Sequence, residues 1–86
     1  MKPRKSLGNK NVIGARVSEC RRAQGLKQKE LLAQLQVNGM DISPTGLSEL
    51  EGQNRVVRDF EVVTIARVLK TTVEYLLEGR CSNQNT

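Results

Sequence analysis

The sequence predicts an all-α fold built from five short helices. Apolar residues recur every three or four positions in five successive segments, and residue types typical of helix ends separate these segments. Aromatic residues make up only 2% of the 86-residue chain, so Leu, Val, Ile and Ala must form the core. A chain of this length has room for one compact domain without a large buried cavity.

The first two predicted helices are separated by Gly25, which is expected to end the first. Asn11 is a favourable N-cap for the first helix. Its apolar face is predicted to carry Ile13, Val17, Cys20 and Gln24. The second helix is predicted from Lys27 to about residue 36, and its inward residues are Leu31, Leu32 and Leu35.

A polar turn over residues 37–41 precedes the third predicted helix and contains Asn38-Gly39, a pair suited to positive φ angles. Ser43 is the expected N-cap, and Pro44 takes the first helical position, where its missing N–H loses no bond. The helix is expected to end near Glu51, closed by Gly52 and by Gln53-Asn54. Projected at 100° per residue, its inward arc holds Gly46, Leu47, Leu50 and Glu51, and its outward arc Pro44, Thr45, Ser48 and Glu49. We expect Gly46 to let a neighbouring helix approach closely.

The fourth and fifth helices are expected to begin at the caps Asp59 and Thr72. Their inward residues are Val62, Ile65, Ala66 and Leu69 in the fourth, and Val73, Leu76 and Leu77 in the fifth, which Gly79 ends. The chain is therefore divided into a flexible basic arm (1–9), a folded domain (10–79) and a flexible polar tail (80–86). The arm is either a solvated tail or a segment that contacts DNA.

The amino-acid composition indicates which partners and sites the protein could have. The 14 basic and nine acidic residues leave a net charge of +5, which makes a polyanion plausible but is a weak signal alone. With no His and with Cys20 and Cys81 far apart, we expect no metal site, and two free thiols rather than a disulfide. No signal peptide or membrane-spanning segment is recognisable, so a cytoplasmic protein without a membrane partner is expected.

A short helix, a turn and a second short helix, braced by further helices, is the arrangement that sets one helix into the DNA major groove. The same pattern is also compatible with any five-helix bundle. The stretches IGARVSECRRAQGLKQKELLAQL, ISPTGLSELEG and DFEVVTIARVLKTTVEYLLEG resemble the phage-repressor and Cro-like (XRE-like) helix-turn-helix family. The resemblance covers residues 12–79 and implies a repressor-like domain whose helix-turn-helix is formed by helices 2 and 3.

The resemblance extends to single positions. Gln28 matches the Gln at the start of the second helix, and Leu31 the Leu that packs between the paired helices. The recognition-helix signature is Leu47, Ser48, Leu50 and Glu51, and the fourth-helix signature is Ile65, Ala66 and Leu69. The family's buried ion pair falls on Arg21 and Glu51. The turn between the paired helices is longer than in most members, and resembles a subgroup with Gly-x-Asp-Ile-Ser before the recognition helix.

These expectations assign roles to two sets of residues. The outward arc of the third helix is expected to read base edges through Pro44, Thr45, Ser48 and Glu49, although it lacks the Arg, Lys, Gln or Asn typical of base readers. Phosphate contacts are expected from Lys27, Gln28, Asn54, Arg55 and Arg58.

The partners expected for such a domain are double-stranded DNA and a second copy of the chain, with the fifth helix and the tail as the dimer contact. An enzyme is not expected, because the chain lacks His, a Gly-rich phosphate loop and a nucleophile motif. No cofactor or small-molecule substrate is expected. The alternative is a protein-interaction module, or an antitoxin-like subunit, with the same fold.

Overall fold

A computed structural model of the protein describes residues 8–79, which contain five α-helices and no strand. The helices are α1 (Gly14–Ala23), α2 (Gln28–Val37), α3 (Pro44–Glu51), α4 (Asp59–Leu69) and α5 (Val73–Glu78). The predicted all-α class is thus confirmed. The predicted tail, with Cys81, and residues 1–7 of the predicted arm lie outside the described residues.

A single aliphatic core joins the five helices. Each helix contributes at least one side chain that is at most 1% exposed, and these include Val17, Leu31, Leu50, Ile65 and Leu76. The longest helix has only 11 residues, so packing rather than intrinsic helix propensity supplies the stability. None of the helices in the described part is long and apolar enough to cross a membrane.

The predicted inward residues are mostly buried, and the exceptions are partly buried or exposed. In α5, Leu76 is fully buried, Val73 is partly buried and Leu77 is 43% exposed. Cys20 and Leu32 are partly buried and pack against the core. Gln24 is exposed, but its Nε2 donates to the carbonyl oxygen of Leu69 at 2.7 Å, which ties the end of α1 to the end of α4.

The helix ends depend on a few left-handed residues. Gly25 and Gly39 have φ angles of +73° and +93°, as their places after α1 and α2 predict. The helix α3 ends at Glu51 with Gly52 as its C-cap, within the stretch predicted to close it. Gly52 has φ −86°, and the left-handed residue of this stretch is Gln53 with φ +62°. The Asn54 N–H can then reach back to the carbonyl oxygen of Glu49 at 2.8 Å.

The helix starts agree with the sequence at Ser43 and Thr72, whose hydroxyls accept N–H bonds from the residues three positions later. The prediction that Asp59 caps α4 is wrong. Arg58 is the N-cap, because the Glu61 carboxylate accepts the Arg58 N–H at 3.0 Å, and Asp59 becomes the first helical residue.

The start of α1 lies unusually close to the end of α3. A Cβ atom on Gly14 would overlap the carbonyl oxygens of Leu50 and Glu51, so only glycine fits there. Gly46, which was expected to allow such an approach, faces its own N-terminal turn instead. A Cβ on Gly46 would lie 3.1 Å from Ile42 Cγ1 and 3.2 Å from Ser43 Oγ. That expectation was wrong because the helix that comes closest is α1, and it meets the other end of α3.

We therefore expect Gly14→Ala to destabilise the fold. Alanine favours a helix over glycine by about 1 kcal/mol, but the clash with α3 backbone should cost more, for a net loss of about 1–2 kcal/mol. The control is Gly52→Ala, since Gly52 has ordinary φ and its Cβ would be 3.4 Å from its nearest neighbours. Urea denaturation measures both variants, and equal stabilities would contradict the close approach.

Candidate nucleic-acid interface

The outer face of α3, defined as Pro44, Thr45, Ser48 and Glu49, is exposed along the whole helix. On the opposite side Leu47, Leu50 and Glu51 are buried, at most 7% exposed. The structure thus brings together the four residues that the sequence assigned to one arc. A helix with one anchored side and one free side can enter a groove without being deformed.

The connection between α2 and α3 is long but ordered. Met40 and Ile42 are each 5% exposed, so the connection is anchored in the core at two points. The Gln36 Nε2 atom donates to the carbonyl oxygen of Ile42 at 2.9 Å. These contacts fix where α3 begins relative to α2, although the turn has more residues than a tight helix-turn-helix connection.

Arg21 on α1 and Glu51 at the end of α3 form a nearly buried ion pair. Arg21 Nε lies 2.8 Å from Glu51 Oε2 and Arg21 Nη2 lies 3.1 Å from Glu51 Oε1, which is a two-point contact. Their side chains are 13% and 7% exposed. Arg21 Nη1 also donates to the carbonyl oxygen of Leu26 at 2.9 Å, so the pair includes the turn between α1 and α2.

Gln28 belongs to the same buried network. Its Nε2 atom donates to Glu51 Oε1 at 3.0 Å, so the start of α2 is tied to the end of α3. The sequence assigned Gln28 to phosphate contact, whereas the structure uses its amide nitrogen inside the fold. The carboxylate of Glu51 therefore accepts hydrogen bonds from both α1 and α2.

Arg55 is also engaged within the fold. Its Nη1 atom lies 3.2 Å from Glu61 Oε1, and the two side chains are 23% and 11% exposed. Burial acts to raise the pKa of Glu61. The hydrogen bonds from Arg55 and from the Arg58 N–H, with the charges of both arginines, outweigh it and hold the pKa below its ordinary value. Arg55 thus fixes the loop between α3 and α4. Its contact with a DNA phosphate stays a prediction.

Residues 8–11 are fastened beside the C-terminal end of α3. The Gly8 N–H donates to the Gly52 carbonyl oxygen at 2.8 Å, and the Lys10 N–H to that of Gln53 at 2.9 Å. Asn11 Nδ2 donates to the carbonyl oxygens of Leu50 and Arg55 at 3.2 and 2.8 Å. The predicted arm therefore does not extend to residue 9, because Gly8 is already bonded to the folded part.

Basic side chains line two open grooves near α3. Lys27 and Lys29 line an open groove of about 340 Å³ together with Pro44, at the N-terminal end of α3. Arg58 lines a second open groove, of about 600 Å³, between the α2–α3 connection and α4. Asn54 is exposed just past the end of α3.

Sequence reasoning missed Lys29 and Lys10, which stand beside the two ends of α3. Lys29 is next to Lys27 in the first turn of α2, so its position was visible from the sequence. Lys10 is exposed, and its backbone is bonded to Gln53. That placement depends on hydrogen bonds far apart in sequence, and no local pattern indicates them.

The charge of the described part is nearly balanced. All nine acidic residues lie within it, whereas four of the 14 basic residues, Lys2, Arg4, Lys5 and Arg80, lie outside it. Residues 8–79 therefore carry ten basic and nine acidic side chains. Any attraction to a polyanion by this part must come from where its charges lie rather than from their sum.

Cys20 is the free cysteine of the described residues. Burial raises the pKa of the Cys20 thiol, with a smaller contribution from Glu19, against a hydrogen bond with Tyr75 that lowers it. A reactive cysteine needs the opposite shift. No group of three or more His, Cys, Asp or Glu side chains in the described residues could hold a metal ion.

Comparison of the chain with protein-family models, with curated proteins and with solved structures finds no match.

We expect Glu51→Ala to cost about 3 kcal/mol in free energy of unfolding, because it strands the buried Arg21 guanidinium without its partner. Glu49→Ala is the matched control. It removes the same side chain two residues earlier, where the residue is exposed, and should change stability by less than about 0.5 kcal/mol. Urea denaturation of both variants measures the difference, and similar losses would mean that the pair is solvated.

Proposed function

We propose that this protein is a sequence-specific DNA-binding transcriptional regulator that places α3 in the major groove. The observation that carries the proposal is the outer face of α3, which is exposed on a helix whose inner face and both ends are fixed. Its start is fixed by Ser43 and the α2–α3 connection, and its end by Glu51. In this proposal α2 and α3 form the helix-turn-helix of a repressor-like domain.

The basic residues that flank α3 also support its placement in the major groove. A helix in the major groove has phosphates on either side. Lys27 and Lys29 lie beside the N-terminal end of α3, Asn54 lies past its C-terminal end, and Arg58 lines the groove beside the α2–α3 connection. Contacts of this kind set the register of the protein on DNA but do not read sequence. The proposal also rests on the resemblance of residues 12–79 to the phage-repressor and Cro-like family.

Base reading would come from short side chains. Thr45 and Ser48 can bond to several base edges, and Thr45 also offers a methyl group to thymine. Glu49 can accept a hydrogen bond from a cytosine amino group, but its charge repels phosphates. We therefore expect a binding site with a strong requirement at the position facing Glu49, and modest affinity elsewhere.

The second candidate is a protein-interaction module or antitoxin-like subunit. It is favoured by the balanced charge of residues 8–79 and by an acidic residue on the outer face of α3. The two functions differ in their response to salt, because only DNA binding releases condensed counterions from phosphates.

The deciding experiment is selection from a random duplex pool with the full chain, followed by affinity measurements on the selected duplex over a range of salt concentrations. The proposal expects a defined consensus, with two half-sites about one helical turn apart as two bound copies require. It also expects affinity to fall steeply with salt. A pool without enrichment, or binding unaffected by salt, would overturn it.

Replacing Lys27 or Arg58 with Ala should weaken binding to every duplex and reduce the slope of log affinity against log salt by about one unit for each lost phosphate contact. Sequence preference should be unchanged. The control is Lys70→Asn, which removes an exposed charge at the far end of α4. Asn tolerates the left-handed conformation that Lys70 adopts with φ +58°. An equal effect of the control would indicate nonspecific attraction.

Glu49→Gln should instead change which base is preferred at one position, with discrimination altered by about 1–3 kcal/mol and a nearly unchanged salt slope. The measurement is a panel of duplexes that vary one base pair at a time. If Glu49→Gln tightens binding to all duplexes equally, Glu49 only repels phosphates. Preference must then come from Thr45 and Ser48 or from outside α3.

A further inference from the structure

The outer face of α4, defined as Phe60, Val63, Thr64 and Arg67, has no partner in the described fold. These residues stand at positions i, i+3, i+4 and i+7, so they share one side of the helix. Phe60 is 60% and Val63 45% exposed. Just before the helix, Val56 is 67% exposed and lines the same open groove as Phe60 and Thr64.

Single exposed apolar residues are ordinary on a protein surface. Here three of the six large apolar residues that are exposed in residues 8–79 gather at one helix. Rotation of α4 about its axis cannot bury these exposed residues, because Val62, Ile65 and Leu69 on the opposite side of the helix already pack in the core. Burial of this patch therefore requires another molecule.

The charges along α4 indicate which molecule could cover this patch. The first turn carries Asp59, and the last turn carries Arg67. Both residues are exposed, and neither joins an ion pair within residues 8–79. In a second copy of α4 running in the opposite direction, Asp59 of one helix would lie near Arg67 of the other, so this pair of charges is complementary.

We propose that two copies of this chain associate through the outer face of α4, with the two helices antiparallel about a two-fold axis near Val63 and Thr64. In such an isologous contact, position 60 of one copy faces position 67 of the other. Phe60 then lies against the Arg67 guanidinium, a cation–π contact, and Asp59 lies near the same charge. Val63 packs against the opposing helix at the axis.

The fifth helix, which the sequence indicated as the dimer contact, offers less apolar surface in the described part. Leu76 is fully buried there, and Leu77 is 43% exposed. Its first turn carries Glu74, and no basic residue lies in its last turn to complement that acid in an antiparallel copy.

The patch is small beside the roughly 800 Å² per partner that stable complexes bury. The dimer should therefore be weak in free solution and be strengthened when two half-sites hold two copies together. The inference deepens the proposed binding of two copies to DNA. Its test uses no DNA, so failure of one proposal is distinguishable from failure of the other.

Sedimentation equilibrium of the full chain up to millimolar concentration tests the contact. The wild type should self-associate, and Phe60→Asp should weaken association by about tenfold or more. Leu77→Asp is the matched control on α5 and should associate as the wild type does. Circular dichroism melts check that each variant is folded. Phe60→Asp should fold, because an acidic side chain in the first turn of a helix interacts favourably with the helix dipole. A wild type that stays monomeric, or an effect of Leu77→Asp larger than that of Phe60→Asp, would overturn the proposal.

A charge exchange tests the antiparallel arrangement. Asp59→Arg and Arg67→Glu should each weaken self-association, because each places like charges opposite one another across the axis. An equimolar mixture of the two variants should recover association as a heterodimer, since acids of one chain then face bases of the other. A mixture that associates no better than the separate variants would contradict the two-fold arrangement.

Discussion

The ion pair between Arg21 and Glu51 fixes the part of the fold on which the candidate interface depends. Glu51 is the last residue of α3, and Arg21 and Gln28 reach it from α1 and α2. Such a pair adds little stability compared with a well-packed apolar contact, but losing one partner leaves a buried charge unpaired. Its contribution is therefore mainly geometric, because it holds the end of α3 in one position relative to the two preceding helices.

Fixing α3 has a consequence for recognition. A helix of eight residues cannot be stable alone, so its outer face is presented only while the surrounding contacts hold. Gly14 brings α1 against its C-terminal end, and Gln36 fixes the connection before its N-terminal end. The exposed residues of α3 are small or acidic. In the proposed complex, affinity would come from basic residues beside the helix, and discrimination from the helix itself.

Local pattern was sufficient for most of the fold. The spacing of apolar residues predicted all five helices, and Ser43-Pro44 placed the start of α3 at the residue where it begins. The error at the start of α4 concerns a choice between neighbouring groups. Asp59 and Glu61 compete to cap α4, and Glu61 succeeds because Arg55 also holds its carboxylate. The closing turn of α3 lies where the sequence placed it. Its left-handed residue is Gln53, whose carbonyl oxygen accepts the Lys10 N–H from the other end of the described chain.

The sequence by itself determined the helices, their buried faces and the four residues of the outer face of α3, because these follow from a period of 3.6 residues and from capping chemistry within a few positions. Only the tertiary structure decided which polar side chains remain free. Gln28 and Arg55 look like surface residues in the sequence, yet they bond to Glu51 and Glu61. The exposed face of α4 is likewise a result of packing. An apolar residue is buried only if another helix covers it, and which helix does so depends on the whole arrangement.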